Sequence, residues 1–463
     1  MLPGDFYYWE GPLPETDQPS SAAPPWGETR VVGKPLPRVD AYDRVSGSAT
    51  YASDVRLPDM LHIAVLTCPH AHALVKKVDT SRAESMTGVR VVLKDGSPGT
   101  DIPWFVDRSG AAASRLFDPH CRYDGDEVAA VAADTIQQAW DAVRAIIVDY
   151  QVLDHVVDVD DAMKGGAVAV RDGGNVIPPQ KPYERGDAAA AFAGADVVVE
   201  HVFHTPCALQ SPIEPHGCVA KWDGPRLTLW ESTQGVYAVQ GEIARALKIP
   251  LANLRVIGPY VGGGFGGKLS SGKYAVIAAN VARRTGRPAR LFLTREQEAR
   301  SMGNRPAATI TLKAGAKKDG TLVAFQSRVI GTGGAYSGGG TGSTDFVIRE
   351  LYGCPNVRSE NQDVFVNAGP ERPFRAPGHP QGAWALEITM DMLAEKLGMD
   401  PIALRLKNIT TVSQLRGVPY TSTGLAECLR RGAEAFGWKD ARAKKPAPGA
   451  HVVRGVGVAA GMW

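Results

Sequence analysis

The sequence has 463 residues, more than one ordinary hydrophobic core holds, and typical domain sizes predict about three units. Lysine and arginine total 51 against 49 acidic residues, so the net charge of +2 gives no electrostatic reason to expect a nucleic-acid partner. With 44% apolar and 22% charged residues, the composition excludes a wholly disordered chain.

The six cysteines are spread singly and form no CxxC pair, which argues against an iron–sulfur centre or a cysteine-held zinc within this chain. We expect them to be buried, reduced thiols, as in a cytoplasmic protein. The N-terminal sequence MLPGDFYYWEGPLPETDQ has no basic start and no continuous apolar run. It therefore predicts neither a signal peptide nor a membrane anchor.

Local patterns in the first part of the chain predict a strand–helix–strand unit. Residues 1–30 are rich in proline, serine, glycine and aromatic residues without periodicity, which predicts an extended arm. Further on, apolar residues predict a strand over Val128–Ala132, and Asp134 is placed to cap a helix leading to a second strand over Ala145–Tyr150. Such a unit is typical of a small α+β domain.

Strands also alternate with helices in the second part of the chain. A helix is predicted over Val236–Leu247 and a strand over Leu254–Ile257, just before a glycine-rich segment. The small residues of Lys273–Arg284 predict a helix that can pack closely against a neighbour, with Gly286 as its left-handed C-terminal residue. Another helix is predicted over Leu425–Phe436.

These patterns predict an α+β fold in four regions. They are an extended N-terminal arm (1–30), a small α/β domain (31–160), a polar, glycine-bearing linker (161–185) and a larger domain (186–463).

The segment Gly262–Lys268 reads GGGFGGK. Five glycines around one phenylalanine permit positive backbone angles and let successive amide hydrogens approach an anion or a pterin closely. The simplest alternative is a glycine turn that serves structure alone.

A second alternative is a phosphate-binding loop. Gly262, Gly267 and Lys268 satisfy the G-x-x-x-x-G-K part of that motif. The next residue is Leu269, so the hydroxyl that would bind magnesium is missing. Nucleotide hydrolysis therefore stays open only as a weaker reading.

Other motifs accompany the glycine-rich segment in a fixed order. They are GKPLPRVDAYDRVSGSATYASDV near residue 33, RYDGDEVAAVAADT near residue 122, QSPIEPH (210–216), ESTQ (231–234) and FRAPGHPQ (374–381). Together they resemble the landmarks of the large subunit of molybdenum hydroxylases, the xanthine dehydrogenase and aldehyde oxidase family. The resemblance implies a small hammerhead domain followed by the first half of a molybdopterin-binding domain.

The resemblance also implies roles for individual residues. Gln234 should direct its side-chain amide at the apical oxo ligand of molybdenum. Gly264, Phe265 and Gly266 should line the molybdenum and the pterin with backbone amides, and Arg375 should hold the other side of the cofactor. The alternatives are a polar residue at a helix start for Gln234 and a surface ion pair for Arg375.

Two departures from the family pattern concern the substrate. Leu269 stands where purine-oxidising members carry a glutamate, and Pro377 stands where they carry a phenylalanine that stacks on the substrate. Both resemble the aldehyde-oxidising branch and favour an aldehyde or an aromatic heterocycle over xanthine. Arg305 falls in the stretch that borders the substrate funnel in the family, and its alternative is a solvated loop arginine.

By the same resemblance, the catalytic glutamate of the family belongs to a segment that would follow Trp463. We therefore expect no catalytic base and no side-chain metal ligand in this chain, and we expect Glu214 and Glu231 to serve packing or cofactor support.

The resemblance implies a molybdenum–molybdopterin cofactor here and leaves open whether it is the cytosine dinucleotide form. It implies a partner chain with the second half of the molybdenum domain, an iron–sulfur subunit and a flavin (FAD) subunit. The competing hypothesis is a non-catalytic scaffold or assembly subunit of such a complex.

Overall fold

The computed structural model describes residues 31, 33–105, 113–179, 181–443, 449 and 451–463. The chain divides into two compact units, residues 1–50 and residues 51–463. In the first, the described part contains helix α1 (Ala41–Ser46), which ends at Gly47 with φ of 80°. The arm predicted over residues 1–30 lies outside the described residues.

The second unit holds the other elements of the described chain. Its helices are α2 (Ser81–Glu84), α3 (Ile136–Ala145), α4 (Val159–Ala162), α5 (Ala188–Ala193), α6 (Val236–Leu247), α7 (Lys273–Thr285), α8 (Arg295–Ser301), α9 (Thr341–Glu350), α10 (His379–Leu397), α11 (Pro401–Asn408), α12 (Leu425–Phe436) and α13 (Trp438–Ala443).

The strands are β1 (Leu61–Thr67), β2 (Ala73–Asp79), β3 (Val89–Lys94), β4 (His120–Cys121), β5 (Glu127–Ala133), β6 (Ile147–Val152), β7 (Tyr183–Arg185), β8 (Val197–Thr205), β9 (Gly217–Asp223), β10 (Arg226–Glu231), β11 (Leu254–Ile257), β12 (Ala289–Phe292), β13 (Ala308–Ala316), β14 (Leu322–Thr332) and β15 (Asn356–Val364). Mixed helix and sheet content confirms the predicted α+β class.

A seven-stranded sheet forms the centre of this unit, in the order β11-β10-β9-β12-β1-β5-β3. Its strands come from both sides of the linker predicted over residues 161–185. They are joined by a parallel pairing in which Leu61 of β1 lies opposite Ala289 of β12. The two regions that the sequence separates therefore share one sheet, while the predicted boundaries themselves remain predictions.

Helix α7 fills the core against this sheet. All ten residues from Lys273 to Ala282 are buried. Four of its buried side chains are alanines, so the helix can approach the strands closely. Because α7 begins five residues after Lys268, the core fixes the C-terminal side of the glycine-rich segment.

A five-stranded sheet, in the order β7-β15-β14-β13-β8, packs against α9 and α10 in a second core. A third sheet has the order β4-β2-β6. No helix among the described residues is long and apolar enough to cross a membrane.

Two predictions from the sequence are wrong in detail. The residue that caps α3 is Thr135, whose hydroxyl accepts from the amide of Gln138, because the carboxylate of Asp134 is instead bound by Arg90 and Arg287. The prediction of six buried thiols fails at Cys207 and Cys428, which are exposed.

Candidate cofactor-binding site

The glycine-rich segment, residues 262–268, connects β11 to α7 and presses against two neighbouring stretches of chain. A Cβ atom placed on Gly264 would lie 2.4 Å from Oε1 of Gln234. One placed on Gly266, whose φ is 104°, would lie 2.5 Å from the carbonyl oxygen of Pro373. Phe265 between them also has a left-handed backbone, with φ of 54°. At Gly266 the clash is with backbone, so no side chain fits there, whereas a side chain at Gly264 would displace the side chain of Gln234.

Three consecutive backbone amides of this segment have no hydrogen-bond partner in the part of the chain that the structure describes. The N–H groups of Gly263, Gly264 and Phe265 make no hydrogen bond with the described residues. Gly264 is buried, where an unpaired N–H is rare in proteins. Consecutive free amides are suited to an anionic or strongly polar ligand.

The structure differs from the sequence-based expectation at one amide. The N–H of Gly266 donates to Oε1 of Gln234 at 2.8 Å, so it is used within the chain. This bond also settles the orientation of the Gln234 side chain, because the oxygen must face the donor. The Nε2 group of Gln234, an exposed residue, makes no hydrogen bond with the described residues and is available to donate.

The segment 372–378 lies directly against the glycine-rich segment. The backbone N–H of Arg375 donates to the carbonyl oxygen of Phe265 at 2.8 Å. Arg375 is exposed, and its guanidinium forms no ion pair or hydrogen bond with the described residues. The backbone of Arg375 therefore lies against the glycine-rich segment, and its side chain carries a positive charge without a partner among the described residues.

Arg372 is a residue of this site that sequence reasoning missed. Its guanidinium donates to the carbonyl oxygens of Gly267 (2.9 Å), Ser270 (3.0 Å) and Ser271 (2.8 Å). These bonds tie the segment 372–378 to the turn before α7. The only sequence signal was its position three residues before Arg375 in PERPFRAP.

A buried polar cluster lies beneath the glycine-rich segment. Nζ of Lys268, which is fully buried, donates to the backbone oxygen of Glu214 and to Oγ of Ser232, both at 2.6 Å. Burial lowers the pKa of Lys268 to about 8, and the charge of Glu214 opposes that shift. Oε2 of Glu214 accepts from the amide of Gly262 at 2.8 Å, and its Oε1 accepts from the amide of Ser53 at 3.2 Å.

This cluster bears on the nucleotide-hydrolase hypothesis. In a phosphate-binding loop the lysine must reach the phosphates. Here the ammonium of Lys268 is buried and already bonded to Glu214 and Ser232. The arrangement therefore disfavours nucleotide hydrolysis.

His216 and Glu298 form a second support that the sequence did not reveal. The imidazole of His216 is buried, with Nδ1 2.6 Å from Oε1 of Glu298 and Nε2 3.1 Å from the carbonyl oxygen of Gly267. Burial lowers the pKa of His216, and the contact with Glu298 opposes that shift. The pair holds the C-terminal end of the glycine-rich segment.

Glu231 is a fully buried carboxyl group close to the same turn. Its Oε1 accepts from Ser271 Oγ (2.8 Å) and Tyr274 Oη (2.9 Å), whereas Oε2 has no hydrogen-bond partner among the described residues. Burial raises the pKa of Glu231 from 4.5 to about 7, against the opposing effect of these two hydroxyls. Between pH 4.5 and about 7, Glu231 therefore stays protonated in the folded protein, whereas it is ionised in the unfolded chain.

This proton predicts a pH-dependent stability difference between the wild type and Glu231→Gln. Between pH 4.5 and 7 the folded wild type binds more protons than the unfolded chain, so its stability falls as the pH rises. At 1.36 kcal/mol per pKa unit, we expect its free energy of unfolding to fall relative to the variant by roughly 3 kcal/mol. Denaturant titrations at pH 4.5, 6 and 8 measure this, and a constant difference would contradict the prediction.

The three residues assigned to the substrate pocket occupy different positions. Arg305 and Pro377 line one cavity of about 260 Å³, together with Phe374 and Gln381. The guanidinium of Arg305 also binds the backbone oxygens of Phe374 (2.6 Å) and Arg375 (2.8 Å), so it supports the segment 372–378. Leu269 is 44% exposed and does not line that cavity.

The fold and the site together define a molybdopterin-binding protein. The family model described as "Molybdopterin cofactor-binding domain" matches residues 170–409. The model described as "Aldehyde oxidase and xanthine dehydrogenase, a/b hammerhead domain" matches residues 46–154. The chain therefore belongs to the molybdopterin-binding subunits of the xanthine dehydrogenase and aldehyde oxidase family, as its ordered motifs predict.

Three relatives illustrate the likeness. The chain is 31% identical over 431 residues to the aldehyde oxidoreductase molybdenum-binding subunit PaoC of Escherichia coli K12, covering 90% of this chain and 56% of PaoC. It is 33% identical over 416 residues to the nicotinate dehydrogenase large molybdopterin subunit of Eubacterium barkeri, covering 88% and 96%. The aldehyde oxidoreductase structure from Desulfovibrio gigas superposes with a TM-score of 0.80 at 29% identity, covering 89% and 47%.

The share of each relative's length that this chain covers differs between the relatives. The chain spans about half the length of most of the curated relatives it matches, including PaoC and a probable xanthine dehydrogenase subunit of Bacillus subtilis. It spans nearly all of the Eubacterium barkeri subunit.

Proposed function

We propose that this chain is the molybdenum-cofactor-binding part-subunit of an oxidoreductase that hydroxylates an aldehyde or an aromatic heterocycle with oxygen derived from water. One observation carries the proposal: the free amides of Gly263, Gly264 and Phe265 lie beside the free Nε2 group of Gln234. An amide without a partner is costly where it is buried, as at Gly264, and a bound polar group removes that cost.

The residues present fit a molybdenum–pterin group. Backbone amides can hold its anionic oxygens, and the bare backbone at Gly264 and Gly266 leaves no side chain in the way. The guanidinium of Arg375 adds a positive charge without a competing partner among the described residues. When bound, the cofactor supplies the two-electron redox chemistry of the hydroxylation.

The chain's own contribution is to bind and to orient. Nε2 of Gln234 donates a hydrogen bond to the cofactor, and Oε1 holds that amide in place through Gly266. The glycine-rich segment is held in place by hydrogen bonds of Lys268, His216 and Arg372. Its amides therefore need not reorganise when the cofactor binds.

The substrate proposal rests on the side chains near the cofactor loop. Leu269 and Pro377 are apolar and carry no group to hydrogen-bond a purine. Phe374 adds an aromatic wall to the cavity that Pro377 lines. An aldehyde or an aromatic heterocycle suits such a surface. The names of two relatives, an aldehyde oxidoreductase subunit and a nicotinate dehydrogenase subunit, support the same two classes.

We further propose that another polypeptide completes the site with the catalytic base, and that iron–sulfur and flavin subunits carry the electrons away. The near-complete match to the Eubacterium barkeri subunit supports this division.

Substituting Gln234 tests the proposed function. Gln234→Glu keeps the acceptor for the amide of Gly266 but replaces the free donor with a negative charge. We expect the purified complex to lose about 100-fold in kcat for aromatic aldehydes with a dye as electron acceptor, as when one preorganised donor is removed. Metal analysis and turnover on the same sample measure the effect.

Gln326→Glu is the matched control, because Gln326 is an exposed residue of β14 outside the site. We expect it to keep molybdenum content and turnover. If Gln234→Glu and Arg375→Ala also keep both, the proposal fails and the non-catalytic scaffold hypothesis takes its place.

A further inference from the structure

Glu371 precedes the segment 372–378, and its side chain has no partner in the described part of the chain. It is half-buried, and its carboxylate forms no hydrogen bond or ion pair with the described residues. Its backbone is held by a bridge to Asn304 and by its amide, which donates to the carbonyl oxygen of Gly333. The carboxylate is thus positioned by the backbone and left open to its surroundings.

Two cavities meet at this carboxylate. The first is the cavity of about 260 Å³ that Phe374 and Pro377 line. The second, of about 370 Å³, lies on the side of Thr341 and Asp363. Glu371 lines both, next to Gly340, where an added Cβ would lie 3.4 Å from its Oε2. A ligand against Phe374 and Pro377 would therefore have this carboxyl group in the same cavity.

No cation among the described residues forms an ion pair with Glu371. Arg305 and Arg372 line the same cavity, but Arg305 donates to Phe374 O and Gln381 Oε1, and Arg372 donates to the carbonyl oxygens before α7. Asp363 at the end of β15 adds a second negative charge. Burial, and then Asp363, raise the pKa of Glu371 to about 7.

We propose that Glu371 determines substrate specificity: its carboxylate accepts a hydrogen bond from a ring N–H of an aromatic substrate and disfavours substrates that carry a carboxylate. This assignment rests on the proposed function, because it takes the cavity beside Phe374 and Pro377 as the substrate pocket. It concerns which substrate binds and leaves the redox chemistry unchanged.

Both preferences follow from the isolation of this group. A half-buried carboxylate without a donor gains a charge-assisted hydrogen bond when an N–H donor enters the cavity. An anionic substrate instead meets the negative charge of Glu371 in the same cavity, where the guanidiniums of Arg305 and Arg372 are held by backbone oxygens. Discrimination that rests on one buried polar contact is typically 10-fold or more.

Matched aldehydes test the first preference in the molybdenum-loaded complex. Indole-3-carbaldehyde carries a ring N–H, whereas 1-methylindole-3-carbaldehyde lacks it. We expect the ratio of their kcat/KM values to fall about 10-fold in Glu371→Met, which removes the acceptor, relative to the wild type. Each variant is also assayed with benzaldehyde, which isolates general loss of activity.

A second pair, 4-formylbenzoate and benzaldehyde, tests the effect of charge. Glu371→Gln removes the charge and keeps the shape, so we expect the relative kcat/KM for 4-formylbenzoate to rise about 10-fold. In the wild type the same ratio should be higher at pH 6 than at pH 8, because protonation of Glu371 near pH 7 removes the repulsion. Among the described residues, Asp363, Arg305 and Arg372 are the other charged groups that line these two cavities.

Glu395→Gln, an exposed substitution on α10, is the control and should leave every ratio unchanged. If the complex oxidises benzaldehyde and both kcat/KM ratios are the same in the wild type and in the two Glu371 variants, the assignment of Glu371 is wrong. The proposed function is not affected by that result. A molybdenum-loaded complex that oxidises none of these aldehydes contradicts the aldehyde part of the proposed substrate class, and this assignment of Glu371 falls with it.

Discussion

Gly266→Ala is expected to yield a folded chain that has lost nearly all of its molybdenum. The new Cβ would lie 2.5 Å from the oxygen and 2.8 Å from the carbon of the Pro373 carbonyl, and both are backbone atoms that cannot rotate away. The two segments must separate, which breaks the bonds from Gly266 N to Gln234 and from Arg375 N to Phe265 O. Metal analysis of the purified complex and thermal unfolding of the chain measure the two effects.

The control variant Gly286→Ala distinguishes this steric clash from the strain of placing alanine in a left-handed backbone conformation. Gly286 ends α7 with φ of 67° and has no atom within 4 Å of an added Cβ. Gly286→Ala should cost about 1 kcal/mol of stability and keep the molybdenum. Full molybdenum occupancy in Gly266→Ala would show that the close approach of the two segments does not shape the cofactor site.

Lys273→Met is expected to destabilise the chain by about 3–5 kcal/mol, because it leaves buried acids without their cation. Lys273 is 2% exposed, and its Nζ lies 2.9 Å from Oε2 of Glu127 and 3.3 Å from Oδ1 of Asp126. Burial already raises the pKa of Asp126, and Lys273 opposes that rise. Without the lysine the pKa of Asp126 rises further, so Asp126 is protonated more readily and the deficit should shrink as the pH falls from 8 to 5.

Denaturant titrations at both pH values measure this deficit. Lys318→Met, an exposed lysine next to the turn between β13 and β14, should change stability by less than about 0.5 kcal/mol. Combining Lys273→Met with Asp126→Asn and Glu127→Gln should restore part of the loss, since no charge is then left unpaired. A single variant as stable as the wild type would refute the role of this buried cluster.

Elements with strong local signals were predictable from the sequence. Helix α6 has the predicted bounds, and α7 ends at Gly286 as expected, because periodicity and cap residues are encoded within each segment. The pairing of β1 with β12 was not predictable, because the paired residues Leu61 and Ala289 are 228 positions apart and neither strand carries a sequence signal that specifies its partner. The prediction of the residue that caps α3 was wrong because Asp134 and Thr135 are adjacent and both can cap a helix. Ion pairs with two arginines distant in sequence hold the carboxylate of Asp134 away from that role.

The candidate site divides in the same way. The resemblance pointed to Gln234 and the glycine-rich segment, and the structure brings them within hydrogen-bonding distance. The role of Arg372 could not be predicted, because its partners are backbone oxygens, which every residue carries. Glu371 was missed for a different reason, since a carboxyl group without a partner leaves no trace in the sequence around it. Roles in cofactor and substrate binding remain predictions for the experiments above.

The parallel pairing of β1 with β12 has a consequence for synthesis on the ribosome. Strands β3, β5 and β1 can associate once residue 133 has emerged, because β5 pairs with both of the others. The free edge of β1 then waits for β12, whose first residue is Ala289. For more than 150 residues of elongation, the nascent chain carries an unpaired apolar strand, the kind of edge at which chains aggregate and chaperones bind.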